Sequence, residues 1–221
     1  MGEILTNYDV LGAFWMTIKL AVLSTLGSLV IGTVLAIFRL SPVGLLRGLG
    51  AFYVNTVRNT PLTLIVVFTM LGAHSNLGIR VGDTILQTVF RWAVIALSVY
   101  HAAFVCEALR SGVNTIPVGQ AEAARSIGLS FGQSLRHVVL PQAFRGAIVP
   151  LGNTIIALVK NTTVVAVIGV AEIAYLTATV MENDPGLILP LFLVVALGFI
   201  VLTVPIGLAT THFGRRLAVQ R

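Results

Sequence analysis

Charge is what this chain has least of: Asp, Glu, Lys and Arg make up 10% of its 221 residues, against about 25% in an ordinary soluble domain. So few charges cannot coat a water-facing surface. With 57% hydrophobic residues and a mean hydropathy of +0.97, the chain belongs in a bilayer. Acidic residues are scarcer than basic ones, 8 against 14, for a net charge of +6. The basic residues fall in small groups between apolar spans, which fits the positive-inside rule and excludes a nucleic-acid-binding stripe. Cys106 is the only cysteine, which excludes an intrachain disulfide and reads as a small packing residue. The first ten residues contain no Lys or Arg, so there is no basic n-region of a cleaved signal peptide. No G-x-x-x-x-G-K-[ST] pattern occurs, and hence no phosphate cradle of the Walker A kind. With no Ser-His-Asp set, paired catalytic carboxylates or metal-spaced cluster, the chain is not expected to be an enzyme, and no cofactor is expected in it.

What is there is an all-α integral membrane pattern. Residues 14–38 are nearly continuous apolar sequence broken by Lys19 and by the small residues Ser24, Gly27, Ser28 and Gly32. At 1.5 Å per residue this exceeds a hydrocarbon core of about 30 Å, and the small residues invite close packing of a neighbour. Four more spans are expected at about 60–72, 92–109, 147–170 and 187–211, with Pro61 opening the second and Phe52 to Val57 leading into it. Arg39, Arg47 and Arg58 place the first loop inside the cell, as Arg215 and Arg216 do the carboxyl terminus, which puts the amino terminus outside. The connections 74–90 and 171–186, the latter carrying Glu172, Glu182 and Asp184, are expected outside. No linker or repeat divides residues 1–221, and five spans cannot form the two matched halves of many secondary transporters.

Between the third and fourth spans lies a polar island, about residues 110–145. Pro117 can open a short helix and Gly128 can end it with a positive φ. Ser130 with Gln133 is a capping-box pattern for a second helix, which Pro141 is expected to stop. Small residues at Ala121, Ala123 and Ala124, with Glu122 and Arg125 beside them, make a surface suited to docking.

Glu122-Ala123-Ala124, three residues, Gly128, then Leu140-Pro141 resembles the EAA loop of ABC importer permeases. The flanks are similar to the polar amino acid subfamily (histidine, glutamate, glutamine, arginine and opine permeases): Arg58-Asn59-Thr60-Pro61, Glu107-Ala108-Leu109-Arg110-Ser111-Gly112, Leu140-Pro141-Gln142-Ala143 and Lys160-Asn161-Thr162-Thr163. The resemblance implies a type I importer permease fold and a second permease subunit, identical or paralogous. It also implies a cytoplasmic ATPase dimer and an extracytoplasmic binding protein as partners. Glu122, Ala123, Ala124 and Gly128 would then form the core of a lever seated in the ATPase.

Lys160 is the other informative residue, since a charge at mid-span costs about 2.5–3.5 kcal/mol on insertion scales and must face a partner or a wet cavity. The family motif there is commonly Lys-Asp-Thr-Ser, from which Asn161 and Thr163 depart. A carboxylate at that place would suit a cationic substrate, whereas Asn161 beside Lys160, with Arg110 on the neighbouring span, suits an acidic or amide amino acid, glutamate first. Arg110, Lys160, Asn161, Thr163 and His101 are the candidate substrate-path residues, and Glu107 with Arg110, three apart on one helix face, can form a local ion pair. Rival readings are an ion-coupled transporter, a structural membrane subunit, or a permease for glutamine or a basic amino acid.

Overall fold

The computed structural model describes residues 6–217, and among them every regular element is helical. Helix α1 spans Val10–Leu40 and α2 spans Gly44–Arg58. A short α3, Leu62–Val67, widens into a π-helix at Phe68–Asn76. Helix α4 is Ile85–Val113, α5 is Val118–Ser126 and α6 is Phe131–Ser134. A π-turn at Leu135–Val139 joins α6 to α7, Leu140–Asn161, which tightens into a 3-10 helix at Thr162–Ile168. Helices α8, Ile173–Asn183, and α9, Ile188–Leu217, complete the chain.

Four stretches are long and apolar enough to cross a membrane: α1, α4, Phe131–Ile168 and Pro185–Arg216. The helix expected at 60–72 runs from Leu62 to Asn76, and α2 leads into it at a bend of 103°. Pro61 explains the break, because Pro disfavours helical geometry in the residue before it. The expected bounds also shift outward. Helix α1 starts at Val10 because Asp9 accepts from the Gly12 amide at 2.8 Å, a side-chain cap. Helix α4 starts at Ile85, seven residues before the expected 92, because Thr84 caps the Gln87 amide at 3.2 Å. The polar side chains of Gln87 and Arg91 had disguised its first two turns as connection.

Pro141 does not stop a helix as expected. It sits in the first turn of α7 within one helical rod, where its missing N–H is tolerated. The π-turn just before it and a bond from Gln142 Nε2 to the Val138 carbonyl at 2.9 Å absorb the disturbed backbone pairing, as π-bulges and side-chain insertions commonly do.

Helix α4 is the buried centre. Ser24, Ser28 and Gly32 of α1, four apart and thus on one face, pack against it. The Ser98 hydroxyl donates to the Ser24 carbonyl at 3.4 Å, and a Cβ on Gly32 would lie 2.8 Å from the Ala102 carbonyl oxygen. On its other side α4 meets α7, where a Cβ on Gly112 would overlap the Ala143 carbonyl. The two helices that flank the polar island therefore touch backbone to backbone where the island begins and ends.

Helix α9 leaves Leu189, Phe192, Leu197, Ile200, Val201 and Leu208 exposed, a face suited to lipid. Glu172, expected in an outer connection, is fully buried. Its Oε1 caps α8 by accepting from the amides of Ala174 and Tyr175 at 2.9 and 3.0 Å, while its Oε2 has no hydrogen-bond partner among the described residues. Burial raises its carboxyl above the ordinary range in spite of those two donors.

Candidate functional site: coupling loop, ion cluster and polar cleft

The island forms two short helices joined by a turn at Gly128. Pro117, with φ −57° and ψ 132°, stands at the N-cap of α5. At the other end Gly128 has φ +86°. The Leu129 amide donates to the Ala124 carbonyl at 3.1 Å and the Gly128 amide to the Arg125 carbonyl at 2.9 Å, the paired bonds of a Schellman motif. Ser130 and Gln133 then make the full capping box of α6, as their spacing predicts. Gln142 at the start of α7 donates to Gln120 of α5 at 2.5 Å, which fastens the loop to the spanning helix. Of the residues named for docking, Ala124 is buried and Glu122, Ala123 and Gly128 are exposed. Ile127, 78% exposed, and Phe131 add apolar surface at the bend. Their part went unnoticed in the sequence, where the only signal is a large apolar residue placed directly before the terminating glycine.

Above the loop one carboxylate gathers three guanidinium groups. Glu107 Oε2 accepts from Arg110 Nη2 at 2.9 Å and Oε1 accepts from Arg39, while Arg58 Nη1 stands 3.7 Å from Oε2. The expected Glu107–Arg110 pair is therefore half of a larger cluster that ties the ends of α1 and α2 to α4. Arg39 and Arg58 had read as topology charges, and nothing in the sequence shows that they converge on Glu107. Arg110, a candidate for the path, is committed to Glu107. Arg58 also lies over the Phe104 ring, its guanidinium carbon 5.6 Å from the centroid, a cation–π distance.

A cleft of about 350 Å³ opens between α4 and α7, lined by Tyr100, His101 and Phe104 on one side and Asn153, Thr154, Ala157 and Asn161 on the other. His101 is 1% exposed. Its Nδ1 lies 3.0 Å from the Leu97 carbonyl, which can only accept, so Nδ1 carries the proton and Nε2 is left as an acceptor. Asn161 Nδ2 donates to that Nε2 at 3.1 Å. The ring is held from both sides, by the Leu97 carbonyl and by the Asn161 amide, and with Nδ2 toward the ring the Asn161 oxygen is left for another donor.

Lys160 is exposed on the same side of α7 as Asn153 and Ala157, and among the described residues no carboxylate pairs with it. The run Lys160–Thr163 was expected in the middle of a helix. It marks instead the change from α-helix to 3-10 helix after Asn161. The Thr163 hydroxyl donates to the Lys160 carbonyl at 2.8 Å and the buried Thr162 hydroxyl to the Val159 carbonyl at 2.7 Å, meeting carbonyls that a helix end leaves open. The structure therefore brings His101 and Asn161 into one cleft and keeps Arg110 in the ion cluster, while Lys160 and Thr163 lie outside the cleft lining, Lys160 exposed on α7 and Thr163 in the 3-10 segment.

Residues 28–219 match the family described as binding-protein-dependent transport system inner membrane component. The chain belongs to this family. As an inner membrane component it is a multi-pass membrane protein with an all-helical permease fold. It is 49% identical to the glutamate transport system permease protein GluC of Corynebacterium glutamicum, over 96% of each chain. It is 33% identical to the probable glutamine ABC transporter permease protein GlnM of Bacillus subtilis, over 92% of this chain and 91% of that one. Among solved structures it resembles an amino acid ABC transporter crystallised with histidines, with a TM-score of 0.81, 25% identity and 96% of each chain covered.

Proposed function

We propose that this chain is the permease subunit of an ATP-driven importer that carries glutamate. The reading rests on one observation above the others: a chain that shares about half its residues with a glutamate permease and whose cleft is lined by His101 and Asn161, with the exposed Lys160 next to Asn161 in sequence. Asn161 Oδ1 is the acceptor for the substrate ammonium, and Lys160 is the counter-charge for a carboxylate.

The transport path forms between this subunit and a second permease, identical or paralogous. A binding protein delivers the amino acid from outside, and the arginines at the ends of the spans support an amino terminus outside and a carboxyl terminus in the cytoplasm. The loop carrying Glu122, Ala123, Ala124 and Gly128 seats in the ATPase dimer. Because α4 and α7 touch at Gly112 and Ala143, motion of the loop reaches both walls of the cleft. ATP binding favours one of two states through its differential affinity for them. The permease itself makes and breaks no covalent bond and holds no cofactor.

The test is Asn161→Asp in the complex reconstituted in proteoliposomes. A carboxylate beside His101 repels an acidic substrate, so glutamate uptake falls about tenfold, equivalent to about 1.4 kcal/mol of lost interaction, and acceptance of arginine rises relative to it. Glutamate uptake unchanged in the variant contradicts this placement of the path. The second reading, glutamine, is favoured by the likeness to the Bacillus protein, and the same vesicles decide it when offered labelled glutamine.

A further inference from the structure

We propose that α1, α7 and α9 form a binding site for an anionic phospholipid, with an acyl chain in the groove between them and the headgroup phosphate at Lys19. The site is separate from the polar cleft and does not depend on which solute the permease carries.

Lys19 is a charge without a counter-charge in an apolar helix. Among the described residues no carboxylate pairs with it, and a bare cation within a span is costly unless it reaches the interface. Its depth allows that. Arg39 follows Lys19 by twenty residues, which at 1.5 Å per residue is about 30 Å, the thickness of a hydrocarbon core. Arg39 belongs to the ion cluster at one boundary, so Lys19 marks the other. The packing agrees. Ser24 meets Ser98 and Gly32 meets Val105, so α1 and α4 run parallel and in step, and Lys19 stands level with the first turns of α4, near Arg91. Trp15, exposed one turn further out on the same face of α1, is where the aromatic belt of a membrane protein is found. Side chains of a helix lean toward its N-terminus, so the Lys19 stem rises toward Trp15 and sets its ammonium among the headgroups.

The groove begins beside it. It has a volume of about 270 Å³ and is walled by Ile18, Val22 and Leu26 of α1, Val159 of α7 and Ile206 of α9; among the described residues that line it, Thr25 alone is polar. Val22, one turn inward from Lys19, and Leu26 are exposed, so the mouth opens sideways to the bilayer. Helix α7 turns Val159 to this groove and Asn161 to the cleft. A zwitterionic amino acid finds no partners in such a groove, whereas a run of methylenes does. A protein subunit seated here would have to bring a carboxylate to Lys19 at the membrane boundary. A phospholipid supplies the negative charge and the apolar chain in one molecule, at the depths the membrane itself sets.

The experiment uses the reconstituted permease, ATPase and binding-protein complex in phosphatidylcholine vesicles. These hold a small fraction of phosphatidylglycerol, or of phosphatidylcholine, with a photoreactive diazirine in one acyl chain. After irradiation the adducts are mapped by mass spectrometry, and size exclusion checks that each variant assembles. The peptides carrying Val22, Leu26 and Ile206 are expected to take the glycerol lipid about fivefold over the choline lipid, the preference that one lysine near an anionic headgroup confers. Lys19→Gln brings that ratio to one while labelling by the choline lipid persists. Arg91→Gln, at the same depth on α4, leaves the ratio unchanged. Val22→Trp fills the mouth and lowers labelling at Ile206 by both lipids. Equal labelling by the two lipids in wild type, or a preference that survives Lys19→Gln, overturns the proposal. Groove peptides that take neither lipid, in an assembled complex labelled elsewhere, mean that a protein subunit covers this face, and overturn it as well.

Discussion

Replacing Glu107 by alanine is expected to destabilise the purified complex by about 3 kcal/mol and to abolish uptake. Breaking a buried ion pair from one side costs about 3–5 kcal/mol because the partner charge is left uncompensated. The lower end applies here, since the side chains of Arg58 and Arg110 are 44% and 39% exposed and keep part of their hydration. Arg39, at 17%, does not. The loss is not confined to one helix, because Glu107 is where Arg39 of α1 and Arg58 of α2 are tied to α4. Glu107→Gln retains an acceptor oxygen and is expected to lose less. Thermal unfolding of the detergent-solubilised complex measures both variants. An alanine variant as stable as wild type would mean that the three arginines are satisfied by water, and that the cluster does not fasten the helices.

The second large effect is at Gly128. Its φ of +86° is a conformation that costs an ordinary L-residue about 1–2 kcal/mol, and more for a β-branched one. Gly128→Val is expected to open the Schellman turn after α5, displace Ile127 and Glu122, and reduce ATP-dependent uptake at least about tenfold while the spanning helices stay folded. Asparagine enters the left-handed region more readily than other side chains, so Gly128→Asn should keep most of the uptake. Equal loss in the two variants would show that the space at Gly128 matters and its backbone conformation does not.

Much of the fold was legible because membrane spans and helix ends have local causes. The apolar runs, the cap at Ser130, the stop at Gly128 and the small-residue stripe of α1 all follow from neighbours in sequence. The misses are where distant residues or the rest of the rod decide. Pro141 read as a stop because proline removes a hydrogen bond, yet the π-turn before it and the Gln142 side chain absorb that loss within one rod. The burial of Glu172 was not legible either, because it comes from its role as the cap of α8, where it accepts from the amides of Ala174 and Tyr175.

The site shows the same division. Lys160 and Asn161 stand out because polar residues inside an apolar span are costly. The bond from Asn161 to His101 joins residues sixty apart in sequence, and the gathering of Arg39 and Arg58 on Glu107 depends on the angle at which α2 returns. Neither has a local sequence signal.

Whether ATP in a partner drives an acidic amino acid through this permease is read from uptake of labelled glutamate into proteoliposomes containing the permease, its ATPase and the binding protein. Uptake against a gradient is expected to require ATP and to stop when the ATPase is inactivated, with the complex still assembled. Uptake that continues without ATP and follows an ion gradient would contradict it.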